Sequence, residues 1–468
     1  MITTQQNNQK YPTRTKLIQD INNSKSLIIL ALTGGGQIIG DLLSTPGTSN
    51  TLLEATITYS PESMHNYINY IPDQYCNRQT ACYMATAAFN RAIKIIHSQK
   101  KQNTTNKINT NKLTNLIGIG CTASLTTNHI KNGEHRTHVA IQTLWGTFAF
   151  SLKLNKGERT RCEEDRLVAD LILNAIKIVH DDSNTRNNNE INDFIKNSID
   201  NKQDDKLLDA FEYNSNKTTN FEMILPLPLK PNESVESLSV IATPPIIDLF
   251  FGQSKATLWQ HGKIRCLHQQ YNPTEPNMPI TKTFNKYAEF TQAIFSGSFN
   301  PIHEGHTEMI EISERKLGCK IAMEISITNA NKPMIDYIEL WTRLREIENI
   351  RPNQIVWLTQ MPLFEEKSEF FRGTTFIVGA DTLKRFADVK QYYKNTHHLH
   401  DVIRILTYHD CRFLVFARRN ENNIESLSSL NIPDMLRSIC DEIPESEFIK
   451  NISSTNLRKN KPNITTQI

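Results

Sequence analysis

Phe290 to Phe295 reads as a strand that leads into Gly297-Ser298-Phe299-Asn300-Pro301-Ile302-His303-Glu304-Gly305-His306, and a helical pattern follows through Leu317. A strand, a turn of small and turn-forming residues and then a helix make the first part of a βαβ unit, which demands parallel strands. The alternation continues. Ile321 to Ile327, Ile355 to Leu358, Thr375 to Gly379 and Arg412 to Ala417 read as strands, and Ile338 to Ile347 as a helix. Residues 289–468 are therefore expected to form a doubly wound, Rossmann-like parallel sheet.

The preceding chain reads as a second α/β domain. Residues 1–26 are a polar tail. Leu27 to Leu32 is a short apolar run ending in Thr33-Gly34-Gly35-Gly36, a loop signal, before the periodic segment Gln37 to Leu43. Leu52 to Tyr59, Asn115 to Gly120 and Arg136 to Leu152 read as strands. Arg78 to His97 and Glu163 to Val179 read as helices, the second with Leu167, Leu171, Ile172, Ala175 and Ile176 at helical spacing. The domain is thus expected over 27–180. Residues 181–221 open on an Asn/Asp/Lys-rich stretch unable to bury much apolar surface and read as a linker or insertion. Hydrophobicity recovers over 222–288, a connecting β-rich segment with no functional reading.

Composition narrows the function classes. Lys and Arg number 52 against 49 Asp and Glu, a formal net charge of +3. That balance argues against nucleic acid held by a basic domain. No run approaches the roughly 18 apolar residues of a transmembrane helix. The N-terminus has no apolar core of a secretory signal, so the expected location is cytoplasmic and away from membranes. Eight cysteines are scattered without a C-x-x-C pair, which favours buried or incidental thiols over a zinc site or disulfide framework.

Open α/β sheets bind ligands at the carboxyl ends of their strands, which is where the Gly297 to His306 segment falls. Small residues let the backbone approach a phosphate, and a helix N-terminus offers unpaired N–H groups. Gly297, Ser298, Phe299 and Gly305 are candidate phosphate-binding positions. His303 and His306, three residues apart on a first helical turn, can both donate to phosphate oxygens. The competing reading, a metal held by the two histidines, lacks any further cluster with ligand spacing, so no metal ligand is assigned.

The G-S-F-N-P-I-H-E-G-H segment resembles the first motif of the nucleotidylyltransferase superfamily with the H-x-G-H signature, which includes nicotinamide-mononucleotide adenylyltransferases and cytidylyltransferases. Ile452-Ser453-Ser454-Thr455-Asn456-Leu457-Arg458 is similar to that family's second motif, and Ile377-Val378-Gly379-Ala380-Asp381 to its strand-end segment. The resemblance implies transfer of AMP from ATP, with Mg²⁺, to a phosphorylated small-molecule acceptor. His303 and His306 would be the catalytic pair on the α/β phosphates. Ser453, Ser454, Thr455 and Arg458 would hold the β/γ phosphates, and Gly379 and Asp381 would meet the adenosine half. Lys332 is a further candidate for a phosphate contact. Trp357, Phe364, Phe370 and Phe371 are read either as stacking partners for a pyridine ring or as core. Nicotinamide mononucleotide is the favoured acceptor. Another acceptor such as phosphopantetheine, use of CTP, and a nucleotide-binding regulator without turnover stay open.

Residues 27–180 resemble the C-terminal domain of the competence-damage-inducible (CinA) family, through Thr33-Gly34-Gly35, Pro46-Gly47-Thr48-Ser49 and Thr58-Tyr59-Ser60. Active members deamidate nicotinamide mononucleotide with a serine nucleophile two residues before the threonine and a lysine after Tyr-Ser. Here those positions are Ala31 and Met64, and the preceding glutamate position is Leu30. A methyl group cannot attack an amide carbonyl, so deamidase activity is expected to be lost. What remains is read as a pocket around Thr33 to Gly36 that binds a nucleotide, or an interface that holds a homo-oligomer.

Overall fold

Leu27–Leu32 forms β1 and is buried along most of its length, as a strand covered on both faces must be. The computed structural model describes residues 13–100, 113–129, 131–187, 207–209, 211–217, 229–265, 291–329, 333–388, 396–419, 424–448 and 457. These divide into two units: 1–201 with 211–244 and 331–339, and 202–210 with 245–330 and 340–468.

In the first unit α1 (Arg14–Asn23) precedes β1, and α2 (Gln37–Leu43), β2 (Leu52–Ile57), α3 (Pro61–Ile68) and α4 (Arg78–Lys100) follow it. Next come β3 (Leu116–Ser124), β4 (His135–Gln142), β5 (Gly146–Leu154) and α5 (Arg161–Asn187). The chain passes β6 (Leu207–Asp209), part of the second unit, before β7 (Phe211–Lys217) and β8 (Ser234–Ala242). The sheet order is β2-β1-β3-β4-β5-β8-β7, with β1 parallel to β2 and β3 and the other pairings antiparallel.

A close helix–sheet contact sets this unit's packing. A Cβ on Gly118 would lie 2.4 Å from the Ala85 carbonyl oxygen, and one on Gly120 2.2 Å from that of Ala81. Bare glycine backbone on β3 meets the alanine face of α4, where Ala81, Ala85, Ala88 and Ala92 are fully buried. Larger residues on either surface would push the helix off the sheet.

The second unit contains α6 (Pro244–Phe250) from its second residue, β9 (Ala256–Gln260), β10 (Lys263–Arg265), β11 (Ala293–Ser296), α7 (Glu304–Leu317), β12 (Ile321–Ser326), α8 (Tyr337–Ile350) from Leu340 on, and β13 (Val356–Thr359). It continues through α9 (Phe364–Phe370), β14 (Thr375–Gly379), α10 (Ala380–Ala387), α11 (Thr396–Tyr408) and β15 (Arg412–Phe416). A two-stranded ribbon of β16 (Arg418–Arg419) and β17 (Ile424–Glu425) follows, then α12 (Asp434–Arg437) and β18 (Cys440–Ile443). The sheet order is β18-β15-β14-β11-β12-β13-β9-β10-β6. From β18 to β13 every pairing is parallel, in the doubly wound order that reverses between β11 and β14.

The sheet is mixed where a parallel one was expected, because β9, β10 and β6 extend its β13 edge antiparallel. The stretches expected to be linker and connecting segment contribute to both units. α5 runs to Asn187, β7 pairs with β8, β8 joins the first sheet at β5, and β9 and β10 join the second. Residues 188–206, 210, 218–228 and 266–288 of those stretches lie outside the described residues. Trp357 and Phe371 are fully buried and edge-to-face, with Phe370 packed against both rings. Phe364 packs on Phe376, Phe386 and Phe413. Trp357 and Phe371 are therefore core residues, and Phe364 and Phe370 are half-buried rings packed against that core.

Replacing Gly120 by alanine should destabilise the first unit by about 1–3 kcal/mol, the cost of overpacking. Gly36→Ala, where a Cβ meets nothing within 4 Å, should stay within about 0.5 kcal/mol of wild type. Denaturant unfolding of both variants checks the contrast.

Candidate functional site

The crevice at the carboxyl ends of β11 and β14 is where the strand order reverses, and two candidate segments emerge there. After β11 the Gly297 N–H donates to the Glu324 carbonyl at 3.0 Å, which carries the ladder one residue past the strand. Gly297 is small for a packing reason, since a Cβ would lie 2.7 Å from the Phe299 ring. Phe299 has φ 45°, in the left-handed region, and its side chain is buried. Gly305 makes room for His303, whose ring would lie 3.1 Å from a Cβ there.

His303 is the N-cap of α7, and His306 stands in the helix's first turn. The His303 N–H donates to His306 Nδ1 at 3.3 Å. The two rings stack, with centroids 3.7 Å apart and planes 20° from parallel. Phe295 and Phe299 present their rings to His306 edge-to-face at 5.8 and 5.1 Å. Burial, then the neighbouring His303, then the Arg418 charge pull the His306 imidazole down to about 3. Burial and Arg418 also lower His303. Both imidazoles are therefore neutral near pH 7. A neutral ring accepting at Nδ1 carries its proton on Nε2, which makes His306 a donor at that atom. His303 Nδ1 is buried without a partner among the described residues.

After β14, Gly379 precedes Asp381 in the first turn of α10, and a Cβ on Gly379 would lie 2.6 Å from Asp381 Oδ1. Arg418 Nη1 donates to Asp381 Oδ2 at 2.6 Å. Sequence reasoning missed Arg418; the available signal was an Arg-Arg pair just past the apolar strand β15. Ser298 is exposed, and its carbonyl accepts from Arg343 Nη1 at 3.0 Å. The described structure thus places Gly297, Ser298, Phe299, His303, Gly305 and His306 in one turn, with Gly379 and Asp381 following the next strand. Lys332, Ser453, Ser454, Thr455 and Arg458 lie outside the described residues.

In the first unit, Ala31 and Met64 belong to one buried apolar cluster with Ile68 and Met84. The two positions that the deamidase resemblance assigns to serine and lysine are therefore joined by apolar packing. The Thr33 hydroxyl accepts from Ala123 N–H at 3.1 Å. The loop after β1 has its own anion, because the Asp165 carboxylate accepts from the N–H groups of Gly35, Gly36 and Gln37 at 2.7, 3.3 and 3.2 Å. Asp165 was not singled out in the sequence, although its place in the acidic first turns of α5 was visible.

Residues 294–460 match the family model described as cytidylyltransferase-like. A relative from Fusobacterium nucleatum, named probable nicotinate-nucleotide adenylyltransferase, is 27% identical over 37% of this chain and 90% of its own length. Among solved structures, a competence/damage inducible protein from Agrobacterium tumefaciens aligns with 36% of this chain and 98% of its own at 15% identity and a TM-score of 0.26. A competence-damaged protein (CinA) superfamily member from Enterobacter cloacae aligns with 38% and 99% at 10% identity and a TM-score of 0.29. The C-terminal region is thus similar to nucleotidyltransferases of the cytidylyltransferase-like family.

Proposed function

We propose that residues 289–468 transfer AMP from ATP to a phosphorylated acceptor, nicotinamide mononucleotide first among them, and release pyrophosphate. The observation that carries this reading is the stacked, neutral His303–His306 pair, its donors held at the turn where the strand order reverses. The match of 294–460 to the cytidylyltransferase-like family and the similarity to a nucleotide adenylyltransferase support it.

In the proposed reaction an acceptor phosphate oxygen attacks the α-phosphorus of ATP in line. The new P–O bond forms as the bond to the β-phosphate oxygen breaks, and the electron pair leaves with pyrophosphate. The protein contributes position and charge stabilisation. His306 Nε2–H and His303 donate to phosphate oxygens, and Arg418 adds a fixed positive charge. Asp381 meets the ribose or base. Lys332, Ser453, Ser454, Thr455 and Arg458 are proposed for the phosphates by the motif resemblance alone. The described residues contain no group of three or more His, Cys, Asp or Glu able to hold a metal. The donor set at the turn is nitrogen-rich and suits anions, so Mg²⁺ is proposed to arrive on ATP. The first unit is proposed to lack deamidase activity, since Ala31 and Met64 supply neither nucleophile nor base.

Pyrophosphate release from ATP or CTP with a panel of phosphorylated acceptors tests the main reading, and ATP binding without release would favour a regulator. His306→Ala should lower kcat by about 10²- to 10³-fold, as loss of one transition-state donor does. With its imidazole pulled down to about 3, His306 is neutral throughout the range from about pH 5 to 8, so kcat/KM should show no limb from it there. An acidic limb near 6.5 that disappears in His306→Gln would overturn the neutral-donor assignment. The unfolded chain takes up a proton on this histidine below about 6.5 that the folded chain refuses, so its contribution falls as pH drops from 6.5 toward 3. The full chain should release no nicotinate mononucleotide from nicotinamide mononucleotide; chromatography of the products checks this.

A further inference from the structure

The strained centre of the phosphate-loop turn is Phe299, whose φ of 45° is uncommon for a residue with a bulky side chain. Such a conformation persists only where its surroundings over-determine it. Two contacts do so. The Phe299 ring is 1% exposed, set edge-to-face against Phe295 at 5.1 Å and against His306. The peptide preceding Phe299 is held by its Ser298 carbonyl, which accepts from Arg343 of α8 at 3.0 Å. Arg343 is 8% exposed, so its guanidinium is held out of water beside this loop. That costs free energy unless its donors are well used.

The geometry points to Arg343 as a positioning residue for the nucleotide-binding turn, acting through the Ser298–Phe299 peptide. The C=O and N–H of a trans peptide point in opposite directions. With the Ser298 oxygen drawn to Arg343, the Phe299 N–H faces away from that guanidinium. No described residue accepts from this N–H. It is a preset donor beside the imidazole donors of His303 and His306, and the three are fixed before any ligand arrives. A backbone donor can be aimed only by orienting its peptide, and here the orienting contact comes from a helix remote in sequence. The inference rests on the proposal that this turn binds a nucleoside triphosphate.

The test compares wild type, Arg343→Lys and Arg343→Gln as full chains. It uses calorimetric binding of ATP, pyrophosphate release and the thermal midpoint. Both variants should weaken ATP binding and raise the KM for ATP by about 10- to 100-fold while the acceptor KM stays within about twofold, since a displacement near 1 Å at a reacting group costs that much. Glutamine should be the weaker binder, as it loses the charge as well as the reach. A lowered midpoint with unchanged ATP affinity would mean that Arg343 only braces the fold, and would overturn the proposal. If Arg343→Gln does not fold, Arg343→Lys alone decides. If wild type binds ATP but releases no pyrophosphate with any acceptor, the transferase reading falls while the affinity comparison still judges Arg343. If wild type binds no ATP, both fall.

Discussion

The hydrogen bond from the His303 N–H to His306 Nδ1 organises the candidate site. It caps one of the unpaired N–H groups at the start of α7, so the histidine pair begins as helix-end chemistry. The same bond fixes the His306 tautomer with its proton on Nε2, and the His303 ring stacks on it. Gly305 is small because the His303 ring needs its space, and Gly297 because Phe299 does. One short turn thus combines capping, packing and donor placement, and little in it can change without moving the rest.

The electrostatics fit that arrangement. Two protonated imidazoles with centroids 3.7 Å apart would repel, and burial penalises each charge further. The pair is therefore neutral, and the cation whose charge bears on both rings is Arg418, itself ion-paired to Asp381. A neutral donor set keeps its geometry over a wide pH range, while a guanidinium keeps its charge. Deeper in the sheet, Lys367 Nζ lies 2.8 Å from Glu324 Oε2, and Thr359 Oγ1 donates to Glu324 Oε1 at 2.5 Å. A buried ion pair is weak support for stability. This one does tie the ends of β12 and β13 to α9, and Glu324 is the residue whose carbonyl holds Gly297.

Much of this was legible in the sequence because local signals and topology agreed. The strand–turn–helix order around Gly297 to His306 needs only the periodicity switch and the turn residues, and the structure has β11, the turn and α7 there. The antiparallel extension by β9, β10 and β6 was not legible, since short strands from distant segments carry no signal of their partner. Arg343 and Arg418 were missed for a related reason. Each is one cation on an ordinary element, and only the fold brings it to a carbonyl or a carboxylate far away in sequence. The aromatics remained ambiguous because a ring that stacks on a ligand and a ring that fills a core look alike in one dimension. Burial of Trp357 and Phe371 resolves that for the second unit.

Both units place a glycine-bearing turn after a strand, and they use its backbone donors in opposite ways. After β1, three successive N–H groups converge on the Asp165 carboxylate, an anion supplied by the chain itself. A phosphate entering there would have to displace a tethered carboxylate, whose effective concentration is high because folding has already placed it. After β11 the corresponding turn has a Phe299 N–H that no described residue accepts from, and two neutral imidazoles in the same turn. Ala31 carries no nucleophile beside the turn after β1, and among the described residues the three N–H groups of its loop are already taken by Asp165. Among the described residues the two turns therefore differ in their backbone donors: those after β1 are satisfied by a carboxylate of the chain itself, whereas the Phe299 N–H after β11 has no acceptor.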